Sequence, residues 1–504
     1  GARMQILYTP SATFDVLLQA DYSRQRGTGA VGALRQFWDD GGAGVVTLVN
    51  TFAAPAVAEE FGLEPPFDTF NAAWINRIDE TEEFRSGGAT ETRDNNDIFG
   101  VSMTANWDMD WATLKSITAY REAEIDVQRD GDHTPFEVIT VAVDERSEQL
   151  SQEFQLTGNA FENKLDWLFG LYAINEKGRN SFSAPLINGV TQSIGLDISL
   201  VTDTRIDTVS LAAFGEGTYY ITPDFGLTVG ARMAWEEKEY TYKLDRIFTG
   251  ASVIPRVEQK ESWSEFLPKA GLEYTGIEDL LLYATVARGF KAGGWNPRTL
   301  TPGTEPQQFE PERITTFEVG SKNTLFGGKA TLNLSAFYSE YNNIQLIAVT
   351  DVAIDTDGDG VPDTTTVDTT INNAGAGEIY GAEIEIVARP IPELLIQAGI
   401  GLLDTKYTEL GDSVIAAGTA TLSNEFIQSP HVTVNSSIEY TMELGTNTGA
   451  LVLFTDVAYK SKIYRSVQNF EDLITPSYAI WNGRVTYISP SENWELAAFL
   501  TRSS

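Results

Sequence analysis

Thr331–Tyr338 reads TLNLSAFY, with Leu332, Leu334, Ala336 and Tyr338 on one side of an extended chain and Thr331, Asn333 and Ser335 on the other. Successive side chains of a strand point to opposite faces, so a period of two makes a strand with one apolar and one polar face. The same pattern recurs along the chain. Phe14–Ser23 sets Phe14, Val16, Leu18, Ala20 and Tyr22 against Asp15, Gln19, Asp21 and Ser23. Ala382–Arg389 sets Ala382, Ile384, Ile386 and Ala388 against Glu383, Glu385 and Arg389, and Val432–Met442 alternates likewise. These stretches run to about ten residues, the length a tilted strand needs to cross a bilayer.

Eighteen such strands are expected, starting near residues 3, 14, 97, 111, 148, 164, 206, 226, 263, 280, 314, 329, 376, 394, 432, 450, 478 and 494. Their connections alternate. Tight turns rich in Pro, Gly, Asn and Asp (9–13, 108–110, 158–163, 222–225, 276–279, 326–328, 389–393, 445–449, 489–493) follow every second strand. Long links (24–96, 122–147, 180–205, 243–262, 291–313, 342–373, 407–430, 462–477) follow the others. All long links thus fall at one end of the strands. An outer-membrane barrel has this asymmetry, with turns toward the periplasm and loops outside. Tyr8, Trp107, Trp111, Trp167, Tyr219, Tyr220, Tyr274, Trp481 and Trp494, near strand ends, are expected in interfacial girdles.

Composition agrees with a folded, anionic protein. Of 504 residues, 71 are acidic and 35 basic, a net charge of −36, which argues against nucleic acid as a partner. There is no cysteine, so no disulfide framework. No run of 18 apolar residues occurs, so a membrane crossing has to be made by a closed barrel of strands. The chain opens Gly1-Ala2-Arg3-Met4 without a basic-then-apolar leader, and any signal peptide is expected upstream.

Several stretches resemble TonB-dependent receptors, the active importers of the bacterial outer membrane. They are LYTPSATFDVLLQADYS (Leu7–Ser23), QLSQEFQLTG (Gln149–Gly158) followed by LDWLFGLYA, and LLLYATVARGFKAGGWNP (Leu280–Pro297). Glu310–Gln345 (EPERITTFEVGSKNTLFGGKATLNLSAFYSEYNNIQ) and Asn372–Ile386 (NNAGAGEIYGAEIEI) extend the likeness over nearly the whole chain. The resemblance implies an all-β transmembrane antiparallel barrel of 22 strands around a plug. Residues 1–504 would be its barrel domain, incomplete at both ends. Three strands would precede this chain and one follow it, with the plug and its TonB-contacting segment lying outside. It further implies import of a ferric siderophore, with the TonB energy-coupling complex, the ligand and outer-membrane lipid as partners. Import of a glycan or other small metabolite, or passive porin-like diffusion, are the alternative readings.

Enzyme chemistry has little support. The only two histidines, His133 and His431, are far apart in sequence, and no nucleophile elbow or phosphate loop occurs. No cofactor is required on this reading. One metal motif stands out: Asp355, Asp357, Asp359 and Asp363 sit at positions 1, 3, 5 and 9 of a calcium loop. Gly360 takes the sharp turn and the Val361 carbonyl position 7, while Thr366 replaces the usual glutamate at position 12. A weak extracellular Ca²⁺ site and a plain solvated acidic turn both fit these residues. The first long link carries Phe37, Trp38, Phe52, Phe61, Phe67, Phe70, Trp74 and Phe84, which either line a ligand vestibule or pack on one another. That link and the Asp-rich 342–373 link do not favour a strongly anionic ligand. The residues that touch the ligand are not named by the sequence.

Overall fold

The computed structural model describes residues 1–29, 45–75, 88, 90–187, 197–300, 302, 304–354, 364–416, 418, 420–445 and 447–503. The first half holds β1 Ala2–Ser11, β2 Phe14–Gly27, β3 Arg93–Asp108, β4 Thr113–Asp130 and β5 Thr140–Ala160. Then come β6 Leu165–Ala184, β7 Leu200–Thr222, β8 Phe225–Arg246, β9 Ser252–Ile277 and β10 Leu280–Lys291. Two-residue strands β11 Gly294–Trp295 and β12 Gln308–Phe309 pair with each other in the next link. The second half holds β13 Glu312–Leu325, β14 Ala330–Ile354, β15 Thr364–Ile391, β16 Leu394–Leu410, β17 Val432–Gly445 and β18 Gly449–Lys460. A second small pair, β19 Ile463–Tyr464 with β20 Ile474–Thr475, precedes β21 Tyr478–Ile488 and β22 Glu495–Ser503.

The long strands make one 18-stranded antiparallel sheet. Every ladder joins chain neighbours, so the topology is an up-and-down meander. Among the described residues β1 pairs only with β2, and β22 only with β21. Each expected strand start falls on its own strand of this sheet or within two residues of it.

The register carries the apolar faces of separate strands into one continuous wall. Leu18 faces Met103, Phe154 faces Leu171, Met233 faces Phe266, Val286 faces Phe317, Ile384 faces Ile400 and Leu453 faces Val485. The wall is uncovered: Leu171 is 60% exposed, Val229 59% and Val319 57%. So much contiguous apolar surface belongs against hydrocarbon rather than water. The opposite face is polar, with Glu153, Glu216, Lys269, Glu318, Glu383 and Asn435, and Lys269 pairs with Glu216 at 2.8 Å. No described helix is long and apolar enough to cross a membrane, so strands alone make the wall.

The turns are tight because their backbones are left-handed. Phe161, Glu162 and Asn163 have φ of 57°, 58° and 65°, and Phe326, Gly327 and Gly328 have 57°, 65° and 86°. Positive φ matches the twist of the flanking strands, and glycine adopts it without a Cβ penalty.

Strands run farther at the other end than alternation suggests. β5 to β9 have 21, 20, 23, 22 and 26 residues. About 9–11 would cross the bilayer. Beyond the apolar belt both faces are polar, so hydrophobic periodicity vanishes while the ladder continues. The link expected over 342–373 is therefore mostly hairpin, paired up to Ile354 and Thr364.

Candidate functional site: the loop-lined mouth

At the long-link end, three buried clusters hold links against the rim. The first gathers the link between β10 and β13. Tyr240, Tyr242 and Lys238 alternate with the outward residues of β8, so they face the polar interior. The Trp295 ring stacks on Tyr240 with centroids 5.2 Å apart, Tyr242 follows at 6.2 Å, and Trp263 lies 6.1 Å from Trp295. The Tyr240 hydroxyl donates to the Asn296 carbonyl at 3.2 Å and the Tyr242 hydroxyl to the Thr299 carbonyl at 2.6 Å. Lys238 Nζ donates to the Gly293 carbonyl at 2.9 Å, and Trp263 Nε1 to Glu310 at 3.1 Å. The Arg298 guanidinium lies 4.8 Å from the Phe182 ring centre on β6. This link is folded inward across β6 to β9. Its far side is fixed by buried Glu312, which accepts from the Tyr341 hydroxyl at 2.6 Å.

The second cluster seats the link between β16 and β17. Phe426 packs 4.5 Å from Tyr407 and 6.4 Å from Tyr341, above a fully buried Val414. Asn424 Nδ2 donates to the Val467 carbonyl at 2.7 Å and Asn469 Nδ2 to the Glu425 carbonyl at 3.1 Å, tying this link to the one after β18. His431 closes the base, with Nδ1 3.0 Å from the Leu403 carbonyl and Nε2 3.1 Å from Glu425. Partial burial works against its charge. The Leu403 carbonyl, Glu425 and Asp404 outweigh that burial and hold its pKa above the usual histidine value. His431 thus ties the start of β17 to β16 and to Glu425 of the link.

In the third cluster, Val49, Phe70 and Trp74 of the first link pack with Phe136, Val138 and Ile187. Phe67 joins edge-on to Trp74 at 5.3 Å, while Phe52 and Phe61 stay exposed. Most of the described aromatics of that link therefore pack on one another. Phe37, Trp38 and Phe84 lie outside the described residues. Asp132 anchors the neighbouring turn, accepting from Thr134 N at 3.0 Å and Ile139 N at 2.9 Å. Burial raises its pKa despite these bonds. His133 sits in the same turn with φ of 57°.

Asp355, Asp357, Asp359, Val361 and Asp363, the expected calcium ligands, lie outside the described residues, in the sequence between β14 and β15. Among the described residues no group of three or more histidines and carboxylates is placed to hold a metal. Of the expected girdle residues, Trp107, Trp111 and Trp494 are exposed at the turn end, where Trp111 stacks on Trp167 at 6.3 Å. Tyr220 is a correction: it alternates with the outward Tyr219 and so faces the interior. Sequence reading missed Tyr240, Tyr242, Trp263 and Trp295. Their signal was aromatic residues on the polar parity of a strand, beyond the apolar belt.

An apolar outer wall, a polar interior, tight turns at one end and ordered inward links at the other define a transmembrane β-barrel of the outer-membrane class. Residues 21–501 match the family model "TonB dependent receptor-like, β-barrel", and the chain belongs to that family. It is 24% identical over 314 residues to a probable TonB-dependent siderophore receptor, PiuA, of Acinetobacter baumannii, covering 60% of this chain and 38% of that protein. The fold resembles the ferric yersiniabactin uptake receptor FyuA from Yersinia pestis, with a TM-score of 0.71 at 16% identity, covering 97% of this chain and 62% of that one. The crystal structure of PiuA from A. baumannii superposes with a TM-score of 0.67 at 15% identity, covering 99% of this chain and 73% of that one. The chain thus matches well under half the length of that curated PiuA sequence.

Proposed function

We propose that the intact receptor captures a ferric siderophore at the loop-lined mouth and imports it with energy delivered through TonB. The observation that carries this reading is family membership over residues 21–501, together with relatives whose names specify siderophores. The inward links add physical support, because ordered loops on a rigid scaffold hold a binding surface in a fixed shape. The charge balance of −36 favours a chelate that is neutral or cationic overall over a strongly anionic one. A neutral glycan or other small metabolite is the second reading, favoured by the same charge balance.

Uptake of ⁵⁵Fe-loaded siderophores of differing charge, in cells with and without the receptor gene, tests the assignment. Receptor-dependent ⁵⁵Fe accumulation that stops when the proton gradient is dissipated is the expected result. Accumulation equal in both strains for every chelate, with receptor-dependent uptake of labelled oligosaccharide, assigns the cargo to the second reading.

A further inference from the structure

The interior face around β6 to β9 carries a depression of about 970 Å³ in the half toward the tight turns. Leu168, Phe214, Glu216, Arg232, Leu267 and Lys269 line it. The register explains the hollow. Gly170 stands opposite Phe214 and Gly230 opposite Glu216, so two interior positions in adjacent rows have no side chain. The Phe214 ring lies down over Gly170, where an added Cβ would come within 2.1 Å of it.

Arg232 rests on that ring. Its guanidinium carbon is 5.4 Å from the centre of Phe214 and 5.6 Å from that of Tyr172. Rings satisfy the faces of a guanidinium but not the N–H groups in its plane. Among the described residues nothing accepts from those groups. The carboxylates of the neighbouring rows are engaged elsewhere: Glu216 with Lys269 at 2.8 Å, Glu265 with Arg313 at 3.0 Å and Glu153 with Gln155 at 2.7 Å. Lys115 on β4 lies in the same ladder row as Arg232 and likewise has no carboxylate partner among the described residues. From β4 to β9 this row thus shows two cations and no anion, in a chain of net charge −36. A carboxylate arriving from the lumen would meet a guanidinium already held in place.

We propose that this depression seats an acidic side chain, flanked by apolar residues, on the part of the intact receptor that fills the lumen from outside residues 1–504. The solved structures that this fold resembles leave room for such a part. The chain covers 62% of FyuA and 73% of PiuA, so each carries polypeptide with no counterpart here. The proposal rests on the importer reading above, which requires a lumen closed at rest. An anchor that gripped every passing ligand near the turn end would oppose its release, whereas a resident segment gains from being held.

Carbodiimide cross-linking of the intact receptor carrying Arg232→Lys tests this, because the reagent joins an amine to a carboxylate only where the two already touch. The new amine is expected to form an amide with an aspartate or glutamate outside residues 1–504, read by peptide mass spectrometry. Joining of Lys269 to Glu216 in the same sample shows that the reagent reaches the interior. An amide at position 232 only with wall carboxylates such as Glu153 or Glu216 overturns the proposal, as does none there when Lys269 and Glu216 are joined. Single-channel recording in planar bilayers at sub-denaturing urea needs no cross-link. Arg232→Gln should open the lumen roughly ten-fold more often than the native receptor, the low end of what a charged hydrogen bond is worth. Arg232→Lys should stay near native. Equal opening of all three receptors overturns the proposal. Native-like opening of Arg232→Gln with reduced uptake of carboxylate-bearing ⁵⁵Fe chelates also overturns it, by assigning Arg232 to the cargo. Cross-linking and recording do not depend on which ligand is imported, so a wrong siderophore assignment would leave both results legible.

Discussion

Leu334 and Asn333 are neighbours in sequence and opposites in surroundings. Leu334 lies on the outward wall, whereas Asn333 reaches Glu385 at 3.3 Å on the interior face. Leu334→Arg puts a charge against hydrocarbon and should cost about 2–4 kcal/mol near the bilayer midplane. Asn333→Arg should be mild, since it meets water and Glu385. Urea titration of folding into bilayers measures both, and equal tolerance of the two would sink the membrane reading of β14. At the rim, His431 sets a pH dependence. Its folded pKa lies above the usual value of a histidine in an unfolded chain, so its stabilisation is fully present below that usual value. The contribution is lost as pH rises through the higher folded pKa. Amide exchange in the link 411–431 should therefore quicken between pH 6 and pH 8, after correction for intrinsic rates. In His431→Gln the excess should vanish; an unchanged pH profile in that variant would assign the effect elsewhere.

The link between β10 and β13 is held by side chains rather than by a ladder. Removing the Trp295 ring takes away the buried centre of the Tyr240–Trp295–Trp263 stack, and Trp→Ala changes in buried sites cost about 3–5 kcal/mol. Trp295→Ala should free residues 292–311 to exchange while β8 and β9 keep their protection. Tyr242→Phe, which loses one hydrogen bond, should cost only about 0.5–1.5 kcal/mol. Hydrogen exchange with peptide resolution distinguishes them, and protection of 292–311 in Trp295→Ala equal to the native would refute the pinning. For residues 355–363 we propose a weak Ca²⁺ site. Asp357→Ala with Asp359→Ala should abolish calcium heat in a calorimetric titration, and identical isotherms would leave an acidic turn. Elements of this kind explain what the sequence discloses. Alternation such as Leu332, Leu334 and Ala336 disclosed every barrel strand, because lipid on one side and water on the other imprint a period of two. The outer halves, as in Thr202–Arg205 of β7, are polar on both faces and left no such imprint. The inward links stayed hidden because Trp295 meets Tyr240 across more than fifty residues, and no local pattern encodes that meeting.

Across the whole molecule, the polar interior is lined by charges such as Glu216, Lys269, Glu318 and Glu383, and the mouth is narrowed by inward links. A barrel of this size with nothing in its lumen would conduct ions steadily. If the intact receptor is an energy-coupled importer, single channels in planar bilayers should show little conductance. Large, steady conductance would favour the porin reading. A different consequence follows from the meander, in which, among the described residues, each long strand bonds only to the long strands before and after it in the chain. Closing such a pair brings together segments already near one another along the polypeptide, so each closure costs little loop entropy. Duplicating or deleting one hairpin leaves the register of every other ladder unchanged. The natural unit of inheritance in this architecture is then the hairpin rather than the domain, and lineages can widen or narrow such a wall two strands at a time.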